Sequence, residues 1–432
     1  MLRNLLSIAT SVLVLSGSPA LADGDYPYLE ALYKHLHANP ELSFQEEQTA
    51  ARMASELRTL GFDVTTGIGG HGVVGVMENG DGPTLLIRAD MDALPVKEAT
   101  GLPYASRVTA IEQTGQEVAV MHACGHDVHM TVWVGTARRL VASKDDWSGT
   151  LVMIAQPAEE RGAGAKAMLE DGLFDRFPRP DANIALHVSG GHPAGSVGFV
   201  PGWAMANVDS VDITVHGMPG HGSAPHTTKD PVVIASQIVL NLQTIVSREI
   251  DPLKPAVVTV GSFHAGTKHN IISDRADLQL TVRSYDDEVR SQLLAAIERI
   301  AINTARTAGL PEDMLPDVQV KDEFTPSLYN DPELTARVES AIGAAIGEDN
   351  VLPASPVMGG EDFARYGRQD PPIPSVMFRL GAISEELYEG SQRRGVVLPS
   401  LHTPFFAPDP EPTITTGVTA MTAAAMEILG TN

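Results

Sequence analysis

The sequence predicts an α/β protein in which a main unit with a mostly parallel central sheet is interrupted by an inserted unit of β-α-β-β-α-β order. Three observations predict it. Short apolar runs, which read as buried strands, alternate with stretches of helical apolar spacing. From Ser210 to Arg283 the rhythm shifts to period-two alternation, the mark of half-exposed strands. At 432 residues the chain is too long for one ordinary core, so two units are expected.

Residues 1–22 begin the chain with Arg3, an apolar run from Leu5 to Leu15, and Ala20-Leu21-Ala22 as a small-x-small cleavage site. This is the pattern of a secretory signal peptide cut after Ala22, which predicts a secreted or periplasmic protein. The apolar stretch is too short for the roughly 20 residues a membrane span needs. No later segment is apolar and long enough to cross a membrane.

Leu29, Leu32 and Leu36 then mark a helix that stops at Pro40, and Met53, Leu57 and Leu60 mark a second that stops at Gly61. Apolar runs at Gly72 to Met77, Thr84 to Arg88, Glu117 to Met121, Thr150 to Ala155 and Asn183 to His187 read as buried strands. Met130, Val134, Ala137 and Val141 give a helix face between the third and the fourth. In the middle segment Val211, Ile213 and Val215 alternate with polar residues, and Asp230-Pro231 starts a helix with Asp as cap and Pro in the first turn. Strands at Val257 to Phe263 and Ala276 to Ser284, a helix stripe of Val289, Leu293, Ile297 and Ile300, and a strand at Val318 to Val320 complete a ferredoxin-like split unit. The expected division is therefore a main unit over 23–207 and 324–432 with an insertion over 208–323. Helix and strand resume from Asp331, the segment from Ser384 to Pro399 reads as a long polar surface loop, and Ile414 to Leu429 closes the chain as a helix.

A formal charge of -24 with no basic stretch argues against nucleic acid and anionic membrane surfaces as partners. One cysteine, Cys124, cannot pair within its own chain, so a disulfide does not explain it. Its neighbours offer another explanation. From His122 to His129, three histidines, one cysteine and one aspartate supply nitrogen, sulfur and oxygen donors of the kind that zinc, cobalt, nickel or manganese accept. Gly125 would let the backbone turn so that Cys124 and His126 converge. Glu159 and Glu160 follow the strand that ends at Ala155, where one carboxylate can ligate a metal while the other takes a proton. His187 ends another strand, and His402 lies in Ser400-Leu401-His402-Thr403-Pro404. Asp90 and Asp92, at a third strand end, can orient ligating histidines from behind. In the insertion, the glycine- and proline-rich loop from Gly217 to His226 can present His221 or His226 to a ligand. Asn270 and Arg283 lie in the same unit, and Arg283 is out of phase with Leu278, Leu280 and Val282, so it points off the apolar face and could clamp a carboxylate.

His35 to Phe44, Arg88-Ala89-Asp90-Met91-Asp92-Ala93-Leu94-Pro95, His122 to Asp127, Gln156 to Glu160, Gly220-His221 and Gly359-Gly360-Glu361-Asp362-Phe363 occur in that order. With these motifs the chain, from about Tyr26 to its end, resembles the M20 metallopeptidase family, in particular its aminoacylase, hippurate hydrolase and indole-acetyl-amino-acid hydrolase branch. The resemblance implies a two-metal hydrolase with an inserted lid that often mediates a homodimer. It implies Cys124, His126, Glu160, His187 and His402 as ligands of two divalent ions, with Cys124 as their bridge. Glu159 matches the general base, and His221 matches a lid histidine that supports the oxyanion, in its own subunit or across a dimer. Asn270 and Arg283 match positions that contact the substrate carboxylate or the oxyanion. The expected reaction is cleavage of a small N-acyl amino acid. A dipeptidase or carboxypeptidase is the alternative within enzymes, and a protein that binds acylated amino acids without turnover is the alternative outside them.

Overall fold

A computed structural model describes residues 25–322 and 324–430; the leader assigned to residues 1–22 lies outside the described residues. Two amphipathic helices come first, α1 (Tyr26–Ala38) and α2 (Glu47–Thr59), with Leu29, Leu32, Leu36, Met53 and Leu57 buried. They lead into β1 (Asp63–Ile68), β2 (Gly72–Asn79) and β3 (Thr84–Asp90), then a small hairpin of β4 (Thr109–Ile111) and β5 (Glu117–Ala119). The long helix α3 (His126–Ala142) is followed by β6 (Gly149–Gln156), short helices α4 (Gly164–Glu170) and α5 (Leu173–Arg176), and strands β7 (Ala182–Pro193), β8 (Val197–Phe199) and β9 (Gly202–Met205). The insertion runs through β10 (Asn207–His216), β11 (Gly220–His221), α6 (Pro231–Thr244), β12 (Ala256–Ala265), β13 (Ile271–Ile272), β14 (Arg275–Ser284), α7 (Asp287–Thr307) and β15 (Asp317–Val320). The chain then returns through β16 (Leu328–Asn330), α8 (Pro332–Ile346), β17 (Val351–Pro353), α9 (Ala364–Gly367), β18 (Ser375–Ile383), α10 (Glu385–Arg394) and α11 (Pro410–Leu429).

The central sheet has the order β1-β2-β6-β3-β7-β18-β8-β17. Its inner pairings β6 with β3, β3 with β7 and β7 with β18 are parallel, as is β8 with β17. The pairs β1 with β2, β2 with β6 and β18 with β8 are antiparallel. Alternation along the strands sends successive side chains into two cores. Leu85, Ile87 and Met153 join Leu29, Trp133, Val418 and Met421 under the helices of one face. Leu86, Val152 and Ile154 join Met168, Phe363 and Tyr366 on the other. Burial on both faces explains why these strands read as unbroken apolar runs.

The insertion forms a four-stranded antiparallel sheet of order β12-β14-β10-β15. Val211, Ile213 and Val215 of β10 pack against Ile234 and Ile238 of α6 and Leu293 and Ile297 of α7. Asp230 caps α6 by accepting the Val232 N–H, and Asp286 caps α7 by accepting those of Glu288 and Val289.

Three expectations change. Glu117 to Met121 is not a strand of the central sheet: β5 pairs only with β4 and is partly exposed, because its partner strand is three residues long and covers one edge. The antiparallel strand β1, half-exposed and rich in threonine, gives no apolar run and is absent from the sequence reading. The segment expected as a loop from Ser384 contains α10, with Glu385 and Glu386 in its first turn and Arg393 and Arg394 in its last, a distribution that complements the helix dipole.

Candidate metal centre

The parallel strands deliver chemistry at their carboxyl ends, where the chain leaves the sheet. Asp90 ends β3, Gln156 ends β6 two residues before the turn carrying Glu159 and Glu160, and His187 lies at the middle of β7, which runs on to Pro193. Cys124 precedes α3, and His126 is its first residue. Between them Gly125 sits in the left-handed region at φ 81°, and a Cβ there would lie 2.5 Å from Val188 Cγ2. This glycine lets the loop turn and approach β7 closely.

These side chains converge on Cys124. Its Sγ lies 3.5 Å from His187 Nε2 and 3.2 Å from His402 Nε2. His402 Nε2 is 3.6 Å from Glu160 Oε2, and His126 Nε2 is 3.8 Å from Glu160 Oε1. Five ligand groups with mutual spacings within 4.8 Å result, and two of them contain the thiol: Cys124 with His126 and His187, and Cys124 with Glu160 and His402. The thiol belongs to both.

Each histidine is held so that Nε2 faces the centre. His126 Nδ1 bonds the Asp92 carbonyl at 2.7 Å, and His187 Nδ1 bonds the Val188 carbonyl at 2.8 Å. His402 adopts a left-handed backbone at φ 64°, and its N–H donates to the Ala123 carbonyl at 2.8 Å, which ties the loop after α10 to the cysteine loop. Burial pushes the Cys124 thiol well above its usual range, and the carboxylates of Glu160, Glu159 and Asp90 push it further. Burial alone would lower His126, but Asp90, Asp92 and Glu160 reverse this and raise it to about 10. Anionic groups thus crowd one point. His126 Nε2 and Glu160 Oε1 are buried there and lack hydrogen-bond partners among the described residues. Mixed nitrogen, sulfur and oxygen donors with buried atoms left unpartnered fit divalent transition-metal ions.

Asp92 supports His126 through its carbonyl and has a second task in its carboxylate. Its Oδ1 accepts the Glu159 N–H and its Oδ2 the Glu160 N–H, both at 3.0 Å, while Ser43 Oγ donates to Oδ2 at 2.6 Å. It therefore fixes the turn carrying both glutamates. Ala158, which begins that turn, is held at φ 51° with its N–H donating to buried Glu46. Asp90 accepts from His129 Nδ1 at 2.6 Å and from Arg88 Nη1 at 2.5 Å. His129 Nε2 in turn accepts the Val188 N–H at 2.9 Å, so both ring nitrogens are used and its role is positional. Arg88 also donates to Glu361 at 2.8 Å and to Gln156 at 3.0 Å, binding the distant Gly359 to Phe363 motif to the same scaffold.

Roles for Arg88, His129 and Ser43 escaped the sequence reading. A lone arginine directly after Leu85-Leu86-Ile87 and a histidine one helical turn after His126 were the available signals.

The Glu159 carboxylate lies 4.0 Å from His126 Nε2. Burial raises its pKa well above the usual carboxylate range, with Glu361, Glu160 and Asp362 adding to the rise and Arg88 opposing it. Glu159 and the metal triads open into a cavity of about 760 Å³, whose far wall includes Arg283. Arg283 Nη1 donates to the Met358 carbonyl at 2.7 Å, so the insertion reaches the main unit there. His221, His226 and Asn270 are exposed and do not line this cavity. His221 Nδ1 instead accepts the Ser223 N–H, and Asn270 bonds Gly222 through its carbonyl.

The family model described as peptidase family M20/M25/M40 matches residues 86–394. Thermostable carboxypeptidase 2 of Saccharolobus solfataricus is 38% identical over 357 residues, covering 82% of this chain and 85% of its own. Hippurate hydrolase of Campylobacter jejuni is 39% identical over 345 residues, covering 78% of this chain and 84% of its own. The crystal structure of the Bacillus subtilis YXEP protein, described as a dinuclear metal-binding peptidase, superposes with a TM-score of 0.73 at 30% identity, covering 93% of this chain and 98% of its own.

Proposed function

The chain belongs to peptidase family M20/M25/M40, whose hydrolases act on amide bonds, and on that premise we propose that it removes the acyl group from N-acyl amino acids with two divalent metal ions. The observation that carries this reading is the sharing of Cys124 Sγ between two ligand triads with the Glu159 carboxylate alongside. Cys124, His126 and His187 would hold one ion, and Cys124, Glu160 and His402 the other. Ions bound there would polarise the substrate carbonyl and acidify the attacking water.

The chain's own groups supply the remaining steps. Glu159 takes the proton of the attacking water and returns it to the leaving nitrogen. A carboxyl group whose environment raises its pKa is suited to both transfers, since it neither binds the proton too weakly nor holds it too long. Asp92 holds the Glu159 turn in place through two backbone N–H groups. Arg283, on the cavity wall contributed by the insertion, is positioned to bind the substrate α-carboxylate. His221 lies away from the cavity of its own chain, which favours an oxyanion role in trans within a homodimer formed through the insertion. The secretory leader would place this reaction outside the cytoplasm.

A carboxypeptidase reading has the Saccharolobus relative in its favour. Assays of hippurate, N-acetyl amino acids and dipeptides side by side on metal-loaded protein separate the two. Hydrolysis of the acylated amino acids with higher kcat/KM is expected; activity confined to peptides would overturn the acyl reading.

A further inference from the structure

Arg379 is the one charged residue in Ser375–Ile383, an otherwise apolar or small-residue strand at the middle of the central sheet. It pairs in register with His187 across the parallel β7 and β18, so the two side chains leave the sheet on the same face. Both line the cavity that holds the candidate metal centre. No hydrogen bond or ion pair engages the Arg379 guanidinium among the described residues. The charge of Glu361 reaches Arg379, but this carboxylate is held by other groups: its Oε1 accepts from Arg88 Nη2 at 2.8 Å and from the Phe363 N–H at 2.9 Å, and its buried Oε2 has no hydrogen-bond partner among the described residues.

A guanidinium largely withdrawn from water and left without a hydrogen-bonded partner is unfavourable, and one beside a site for two divalent cations is more so. Metal binding therefore gives Arg379 no reason to be there. An anionic group entering the cavity does, because a guanidinium matches a carboxylate with two parallel hydrogen bonds. Arg283 already provides such a donor on a different wall, from β14 of the insertion. Two guanidinium groups on opposite structural units call for two carboxylates on one ligand.

We propose that Arg379 is a specificity-determining residue that binds a second carboxylate of the substrate, so that the preferred substrates are dianionic N-acyl amino acids. This rests on the amidohydrolase reading above. The second carboxylate can lie on the amino-acid side chain or on the acyl group, and the test separates these sources.

Metal-loaded wild type, Arg379→Met and Arg379→Lys are compared on N-acetyl-leucine, N-acetyl-glutamate and N-succinyl-leucine. The wild type is expected to favour at least one dianionic compound over N-acetyl-leucine by tenfold or more in kcat/KM, and the compound favoured identifies the source. Arg379→Met should lose at least 30-fold more on that compound than on N-acetyl-leucine, with Arg379→Lys recovering part of the difference. Equal losses on all three, or a dianionic preference that survives Arg379→Met, would overturn the proposal. Calorimetric binding of succinate and glutarate, against acetate, to the same proteins decides the matter apart from turnover. Dicarboxylate binding weakened at least tenfold by Arg379→Met supports the site even if no N-acyl compound is hydrolysed, an outcome that sinks only the amidohydrolase reading. Unchanged binding sinks the site even if hydrolysis stands. Should Arg379→Met fail to fold, Arg379→Gln replaces it in both arms.

Discussion

Glu159 and Cys124 stand within one cluster yet have separable tasks. In the proposed mechanism Glu159 supplies the proton acceptor, whereas Cys124 joins the two triads that would hold the ions. Glu159→Gln keeps the side-chain volume and removes the base, so metal content should be retained while kcat falls by about 10²- to 10⁴-fold. Cys124→Ala should instead lose bound metal together with activity. Metal analysis beside the kinetics reads both. A Glu159→Gln protein of wild-type activity, or a fully loaded and active Cys124→Ala protein, contradicts these roles. The cysteine also shows what sequence can convey at this scale. A single thiol is uninformative by itself; His126 two residues on and strand-end donors elsewhere make it a candidate ligand. The hydrogen bonds from Asp92 to two backbone N–H groups leave no comparable trace, because a main-chain contact needs no particular residue at the other end. Nor does the exposure of His221, His226 and Asn270, which depends on how the insertion meets its surroundings.

Among the elements, the turn between β6 and α4 carries the greatest constraint. Ala158 is in the left-handed region at its start, a conformation that costs a non-glycine residue about 1 to 3 kcal/mol and is tolerated where the surroundings enforce it. Gly164, the first residue of α4, packs against the start of the turn so closely that a Cβ would lie 1.5 Å from the Pro157 carbonyl oxygen. Gly164→Ala should therefore move the segment bearing Glu159 and Glu160. The expected outcome is a loss of about 1 to 3 kcal/mol in stability and more than tenfold in kcat/KM. Wild-type values of both in chemical denaturation and assay would show that the turn can yield. Elements buried on both sheet faces were legible from their apolar runs, although the run from Glu117 to Met121 gave the same signal without entering the central sheet. The strand β1 and helix α10 were not: the first is half-exposed and lacks an apolar run, and the second is a short polar helix of low internal hydrophobicity beside glycine.

At the scale of the whole molecule, stability depends on buried charge outside the metal cluster. His37 on α1 bonds Asp127 of α3 at 2.7 Å and Glu98 at 3.1 Å, joining the first helix to the helix that starts with His126. Burial would lower the His37 pKa, but these two carboxylates raise it to about 10. A pKa above the unfolded value of about 6.5 means the contribution is complete below that pH and is lost as pH rises through about 10. The gap in melting temperature between wild type and His37→Asn should accordingly shrink from pH 6.5 to 10; a gap independent of pH would contradict the pairing. The change of strand rhythm at Ser210 was visible in sequence, and the strands that follow it form an antiparallel sheet of their own. The cavity between them was not, since Arg283 and the Gly359 to Phe363 segment meet there only after folding.

The most direct test of the metal-dependent mechanism is a titration of chelator-stripped protein with Zn²⁺ or Mn²⁺ while hydrolysis of the best N-acyl amino acid is followed. Negligible turnover without metal, rising to a plateau near two equivalents per chain, is the predicted result for a two-metal centre. Undiminished turnover by the stripped protein, or none at any metal loading, would contradict it.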